Sequence, residues 1–183
     1  MDVGGDQTWT YRWPSGERLA QALPGLADCR GRRVLDLGCG RGSCGRAALD
    51  QGAALAVFLD EAPTALAELK AELKAELERS FDQGVRARAA CLNAHWGAVL
   101  APGFELILGG DILYRPACHP ALIATIAGAL ARDGIALLSD PRQRLEAELP
   151  SLAAQASLTW ETERRSNWTL VRIRRRHGPP EQY

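Results

Sequence analysis

The chain has 183 residues, of which 46% are hydrophobic, and its 22 basic and 22 acidic side chains give a formal net charge of zero. This composition predicts a globular domain with a sizeable core, and it excludes a strong basic field that would attract nucleic acid. No apolar run reaches the roughly 18 residues that a membrane helix needs, and the first residues lack a signal-peptide pattern. We expect one cytoplasmic domain over residues 1–183, with an N-terminal arm and short helix in residues 1–30 and the core in residues 31–183.

The N-terminal arm carries aromatic side chains at alternate positions, Trp9, Tyr11 and Trp13. Two interpretations are open: the arm covers a face of the core, or it forms a lid with Trp13 near a ligand. A short helix follows over residues 17–23, and Pro24-Gly25 ends it.

A continuous apolar strand, Val34-Leu35-Asp36-Leu37, runs directly into a glycine-rich turn over residues 38–42, and residues 43–51 then follow a helical pattern. Glycines let the backbone turn sharply and approach a ligand closely. The helix points its first amide groups at the same place. Strand, turn and helix together predict a nucleotide site.

The second predicted strand, residues 54–59, ends at Asp60, which lies 22 positions after Gly38. An acid at this point suits a ribose hydroxyl pair, in a dinucleotide or in S-adenosylmethionine. The chain departs from the Gly-x-Gly-x-x-Gly pattern of dinucleotide-binding proteins. When the pattern is counted from Gly38, the first glycine after the strand, Ser43 stands where the third glycine is expected.

The remaining pattern alternates helices and strands, which is typical of an α/β fold with a mainly parallel sheet. We expect helices over residues 61–79, 120–131 and 142–154, an edge strand over residues 85–91, strands over residues 104–108 and 134–139, and a final antiparallel hairpin of residues 158–162 and 169–175. Ligands of such sheets bind beyond the carboxyl ends of the strands. Residues at these ends are Asp36, Gly38, Asp60, Asn93 and Asp111.

Two motifs resemble a known family. The order acid-x-Gly-x-Gly-x-Gly at residues 36–42 resembles the first motif of class I S-adenosylmethionine-dependent methyltransferases. Asp111-Ile-Leu-Tyr114 is similar to the acid-x-x-Tyr motif of the family-16 protein methyltransferases, which include lysine methyltransferases. Residues 13–16 and 92–96 are also similar to that group. The resemblance implies a Rossmann-like, doubly wound sheet of seven strands, S-adenosyl-L-methionine as cofactor, and a protein lysine as methyl acceptor.

The resemblance also implies which residues form the site. We expect no metal ion in it. The expected cofactor contacts are Trp13, Asp36, Gly38, Cys39, Gly40, Gly42, Asp60, Glu61, Asn93, Trp96 and Asp111. The expected catalytic residues are Asp111, which would position the amine or the cofactor, and Tyr114, which would shape the acceptor channel. Each of these two residues has an alternative role. Asp111 could be a helix cap or turn residue, and Tyr114 could be a packing residue. Asn93 departs from the family pattern, which usually has an acid next to the tryptophan.

The sequence also allows other interpretations of the function. The acceptor could be a small molecule or RNA, although we do not expect nucleic-acid binding from the few arginines of the last strand. From another class, the chain could be an NAD(P)-binding oxidoreductase or a non-catalytic cofactor-binding module. The five cysteines are scattered and contain no C-x-x-C pair, which favours neither disulfides nor a zinc site.

Overall fold

A computed structural model describes residues 10–11, 13–79, 88–142 and 145–176 of the chain, with only the backbone of residues 77–79. It contains a seven-stranded sheet in the order β3-β2-β1-β4-β5-β7-β6. The strands are β1 (Arg33–Leu37), β2 (Leu55–Asp60), β3 (Ala89–Asn93), β4 (Phe104–Gly110), β5 (Leu130–Asp140), β6 (Leu158–Arg164) and β7 (Thr169–Arg175). The helices are α1 (Pro14–Ala22), α2 (Ser43–Asp50), α3 (Pro63–Arg79), α4 (His119–Ala129) and α5 (Leu149–Gln155).

The first five strands of the sheet run parallel and β7 pairs antiparallel with both β5 and β6. This confirms the expected Rossmann-like fold with a C-terminal antiparallel hairpin. The strand order reverses beside β1, because β2 lies on one side of it and β4 on the other. Open α/β sheets bind their ligands at such a point.

The core is built on both faces of the sheet, since side chains of a strand alternate between them. Leu35 and Leu37 of β1 join a buried cluster with residues of α4 and α5. Val34 joins a second cluster with residues of α1 and α2. Helix α3 packs through Leu66 and Leu69 on the β2 side of the sheet. The first three helices therefore cover one face and the last two cover the other.

Some element boundaries differ from the sequence-based expectation. Helix α1 begins at Pro14 rather than at residue 17, because the fixed φ of proline suits the first turn of a helix. Helix α4 ends at Ala129, and β5 begins directly afterwards. The last helix does not begin at Arg142, since the amide of Arg142 donates to the Asp140 carboxylate at 2.8 Å and forms a turn.

Strand β3 lies at the edge of the sheet, as expected. Trp9 of the arm and residues 85–87 of the expected edge strand lie outside the described residues. Among the residues that are described, no helix has the length and apolar character needed to cross a bilayer.

Candidate active site

A cleft opens at the carboxyl ends of β1, β2 and β4, beside the start of α1. Its empty volume, including the part open to solvent, is about 850 Å³. Its lining includes most of the residues expected from the sequence: Trp13, Asp36, Gly38, Cys39, Gly40, Asp60, Glu61, Trp96, Asp111 and Tyr114. The carboxyl ends of separate strands thus supply one shared site.

The turn after β1 forms the floor of the cleft with its backbone. Gly38 and Gly40 have φ angles of +65° and +48°, a region that favours glycine. A Cβ on Gly38 would lie 2.8 Å from Cγ2 of Ile112 and 3.6 Å from Cζ2 of Trp96. A side chain at this position would therefore collide with the wall of the cleft.

Gly42 has a different function in the same turn. It precedes α2 with a φ of +75°, and a Cβ there would lie 2.8 Å from Cδ1 of Leu69 and 3.0 Å from Cε1 of Phe58. Gly42 therefore faces the packed side of α3 and does not line the cleft. This differs from the expected cofactor contact.

Asp36 and Asp60 lie at the ends of β1 and β2 and are almost fully buried. Oδ2 of Asp36 accepts from the Gly45 amide at 2.7 Å. Oδ2 of Asp60 accepts from the Gly40 amide at 2.8 Å, and its Oδ1 accepts from the Ala62 amide at 2.9 Å. Both carboxylates consequently fix the backbone around the glycine turn.

Burial changes the protonation of the cleft floor. It raises the pKa of Asp36 to about 7, an effect that the Gly45 amide opposes and the nearby Asp60 carboxylate reinforces. Burial also raises the pKa values of the Cys39 and Cys44 thiols well above their usual range. These thiols are therefore protonated at neutral pH.

Two less buried acids of the cleft bind side chains instead of backbone. Glu17 accepts a hydrogen bond of 2.5 Å from the Ser43 hydroxyl at the start of α2. Glu61 accepts from Arg115 at 2.8 Å and lies 3.1 Å from Nδ1 of His95. Glu17 lies in the first turn of α1, and Glu61 directly follows β2.

Aromatic rings form the outer part of the cleft. The rings of Tyr11 and Trp13 lie 6.1 Å apart, and those of Trp96 and Tyr114 meet edge to face at 6.4 Å. Trp13 and Tyr114 are each nearly half exposed. Such rings can contact an apolar or cationic group that enters the cleft.

Hydrogen bonds to Leu113 hold the segment that carries Tyr114. The carbonyl oxygen of Leu113 accepts from Nη2 of Arg142 at 2.7 Å and lies 3.0 Å from Nε2 of His119. Arg142 in turn binds both carboxylate oxygens of the buried Asp140, at 2.7 and 2.8 Å. These contacts fix the position of Tyr114 through its preceding residue.

Asn93 does not line the cleft, although it ends β3 as expected. Its Nδ2 donates to the carbonyl oxygens of Asp60 and Glu61, at 3.0 and 3.1 Å. The side chain therefore ties the ends of β2 and β3 together.

Several lining residues were not identified from the sequence: Tyr11, Gly16, Glu17, Arg41, Ser43, Cys44, Ala62, Gly110 and Ile112. Gly16 belongs to a segment already noted for its resemblance, and Gly110 directly precedes another, so both glycines were a usable signal. Glu17 gave none, since its contact with Ser43 joins positions 26 apart on two different helices.

A sequence model described as lysine methyltransferase matches residues 12–153 of the chain. The chain belongs to this family. It is 33% identical over 132 residues to the protein N-lysine methyltransferase METTL21A of Danio rerio, a match that covers 69% of this chain and 58% of that protein. It is 34% identical over 118 residues to the electron transfer flavoprotein beta subunit lysine methyltransferase of the same organism, covering 64% of this chain and 43% of that protein. The chain thus spans about half the length of these relatives.

Among solved structures, the ribosomal protein L11 methylase of Lactobacillus delbrueckii subsp. bulgaricus superposes with a TM-score of 0.68 at 22% identity. The match covers 87% of this chain and 78% of that one. At this identity the similarity establishes the shared fold.

Proposed function

We propose that this protein is an S-adenosyl-L-methionine-dependent methyltransferase that N-methylates a lysine side chain of a protein substrate. The observation that carries the proposal is the single cleft that joins the glycine turn with Asp36, Asp60 and Tyr114, in a chain of the lysine methyltransferase family. The relatives named as lysine methyltransferases support the choice of acceptor.

The residues of the cleft fit this cofactor in shape and in charge. Gly38 and Gly40 line the cleft with backbone alone, and a Cβ on Gly38 would collide with Ile112 in its wall. Among the described residues, the lining contains one guanidinium, that of Arg41, and four carboxyl groups besides Asp111, whose carboxylate binds the Gly16 amide. This balance suits the sulfonium and ammonium groups of the cofactor. The four acids are Glu17, Asp36, Asp60 and Glu61.

We assign the parts of the cofactor from the order of the strands. Asp60 ends β2, next to β3, and Glu61 follows it; both would hold the ribose, with Trp96 beside the adenine. Asp36 and Glu17 lie on the α1 side and would face the amino-acid end. The cofactor supplies, when bound, an electrophilic methyl group on its sulfonium sulfur.

The substrate lysine must reach that methyl group as a neutral amine. A lysine has an ordinary pKa of about 10.4 and must lose a proton before it can attack. The aromatic wall of Trp96 and Tyr114 would lower this pKa by removing water from the amine. Tyr114 can also hydrogen-bond the amine and align it. Most of the acceleration then comes from alignment rather than from a strong base.

Labelling identifies the acceptor directly. The purified protein is incubated with methyl-labelled S-adenosylmethionine and a cell lysate, and the protein fraction is hydrolysed to amino acids. The proposal predicts label in N-methyllysine, and no label above background with Gly40→Val, because a β-branched residue does not suit the positive φ of this cleft-lining position. Label in RNA or small molecules would overturn the acceptor, and the absence of any transfer would overturn the enzyme.

A further inference from the structure

The first turn of α1 is capped from a distant part of the chain. Trp13, the residue before the helix, makes no side-chain hydrogen bond to the first turn. Instead, Oδ2 of Asp111 accepts from the amide of Gly16, the third residue of the helix, at 3.0 Å. This is the bond that a local cap residue would normally provide, but here its partners lie 95 positions apart.

The backbone on both sides is shaped for this contact. A Cβ on Gly110 would lie 2.5 Å from Cα of Gly16, so α1 touches the end of β4 directly. Asp111 has a φ of +58°, in the left-handed region. Apart from glycine, few residue types adopt this region, and aspartate and asparagine are among them. The Asp111 amide donates to the carbonyl oxygen of Ser139 at 2.9 Å, which ties this conformation to β5.

The start of α1 brings three residues to the cleft: Trp13, directly before the helix, and Gly16 and Glu17 in its first turn. Their position depends on how the amino end of α1 sits on β4. The Asp111 carboxylate makes a hydrogen bond at that point, and Asp111 is only 8% exposed.

We propose that Asp111 is a positioning residue that caps α1 and holds Trp13 and Glu17 at the cleft, and that this role needs a hydrogen-bond acceptor rather than a negative charge. The consequence for ligand binding rests on the proposed function, whereas the capping of α1 does not.

Four substitutions separate the two roles. Asp111→Asn keeps an acceptor and tolerates the positive φ, but it removes the charge. Asp111→Gly keeps the backbone and removes the acceptor. Gly110→Ala pushes α1 away and leaves Asp111 unchanged. Gly16→Ala is the matched control, because its Cβ would lie at an ordinary 3.5 Å from Cα of Gly110.

Amide hydrogen exchange over residues 14–22, without ligand, measures the capping. We expect exchange in α1 to accelerate about tenfold in Asp111→Gly and in Gly110→Ala, as loss of a helix cap implies. Asp111→Asn should protect α1 as the wild type does, and Gly16→Ala should protect it at least as well, because alanine favours a helix more than glycine does. Unchanged α1 protection in both Asp111→Gly and Gly110→Ala would overturn the proposal.

Calorimetry with S-adenosylhomocysteine then tests the consequence for the cleft. Asp111→Asn should bind within about threefold of the wild type, and Asp111→Gly and Gly110→Ala should both bind roughly tenfold more weakly. If Asp111→Asn binds as weakly as Asp111→Gly while α1 stays protected, the charge acts directly and the proposal fails. A wild type that does not bind would instead overturn the proposed function, and the exchange measurement would still decide the role of Asp111.

Discussion

The Asp36 carboxylate accepts a hydrogen bond of 2.7 Å from the Gly45 amide, which joins the end of β1 to the first turn of α2. The carboxylate is 2% exposed, and burial raises its pKa to about 7. The acid that begins the glycine motif therefore holds the turn in place from beneath the cleft floor. Its protonation has consequences for stability.

Stability should fall as the pH rises from about 4 to about 7. The folded protein keeps a proton on Asp36 over this range, while the unfolded chain, with a pKa near 3.8, has lost it. The effect is on the order of 4 kcal/mol at the plateau above pH 7, at about 1.4 kcal/mol for each unit of pKa difference. Asp36→Asn should remove this dependence.

Urea unfolding of the ligand-free protein between about pH 5 and pH 8 measures the effect. Asp28→Asn serves as the control, because the Arg30 amide lowers the pKa of the exposed Asp28 and moves its titration below this range. Parallel pH profiles for the wild type and Asp36→Asn would contradict the account.

Gly45 should be intolerant of even one added methyl group. A Cβ there would lie 2.3 Å from Cε1 of Phe58 and 2.8 Å from its Cζ. Helix α2 therefore packs against β2 at a distance that only glycine allows. Gly45→Ala should lower the free energy of unfolding by about 1–3 kcal/mol. Gly128→Ala, inside α4 with its nearest atom at 4.0 Å, should instead raise it by about 0.5–1 kcal/mol. Equal stability of the two variants would show that the packing is less close than described.

Tyr114→Phe should reduce turnover and leave cofactor affinity nearly unchanged. The ring contacts with Trp96 and with the Arg115 guanidinium, at 6.4 and 5.1 Å between centres, survive the substitution. Loss of one hydrogen bond to the acceptor corresponds to a roughly tenfold lower kcat. Steady-state kinetics and calorimetry with S-adenosylhomocysteine give the two numbers. Full activity of the variant would leave Tyr114 a packing residue only.

Glu17→Gln should weaken binding of ligands that carry the amino-acid end of the cofactor. We expect affinity for S-adenosylhomocysteine to fall about tenfold, since a charged partner of the ammonium is lost. Affinity for methylthioadenosine, which lacks that end, should not change. The control is Glu105→Gln, at an exposed acid that binds the Arg33 amide at the start of β1, away from the cleft. Equal losses for both ligands would place Glu17 elsewhere in the site.

The parts of the site that the sequence predicts are those encoded by contiguous residues. The apolar run of β1 and the glycines after it locate the turn, and the spacing to Asp60 locates the next strand end. Parallel strands bring such ends to one edge regardless of side-chain detail. For this reason the family, the fold and most of the cleft lining follow from the sequence.

The remaining features depend on contacts between distant residues. Asp111 and Gly16 are 95 positions apart, and no local pattern indicates that one caps the helix of the other. Asn93 has the residue type and position of a ligand contact, but its Nδ2 donates to the carbonyl oxygens of Asp60 and Glu61, at and just after the end of β2. Side-chain partners of this kind are set by packing, which a spacing rule does not contain.

A crystal structure of the protein with S-adenosylhomocysteine tests the central claim most directly. The account predicts the ligand across the Gly38–Gly40 turn, with its ribose at Asp60 and Glu61 and its ammonium near Glu17 and Asp36. A ligand found elsewhere, or a cleft that stays empty while the protein binds the compound in solution, would contradict it.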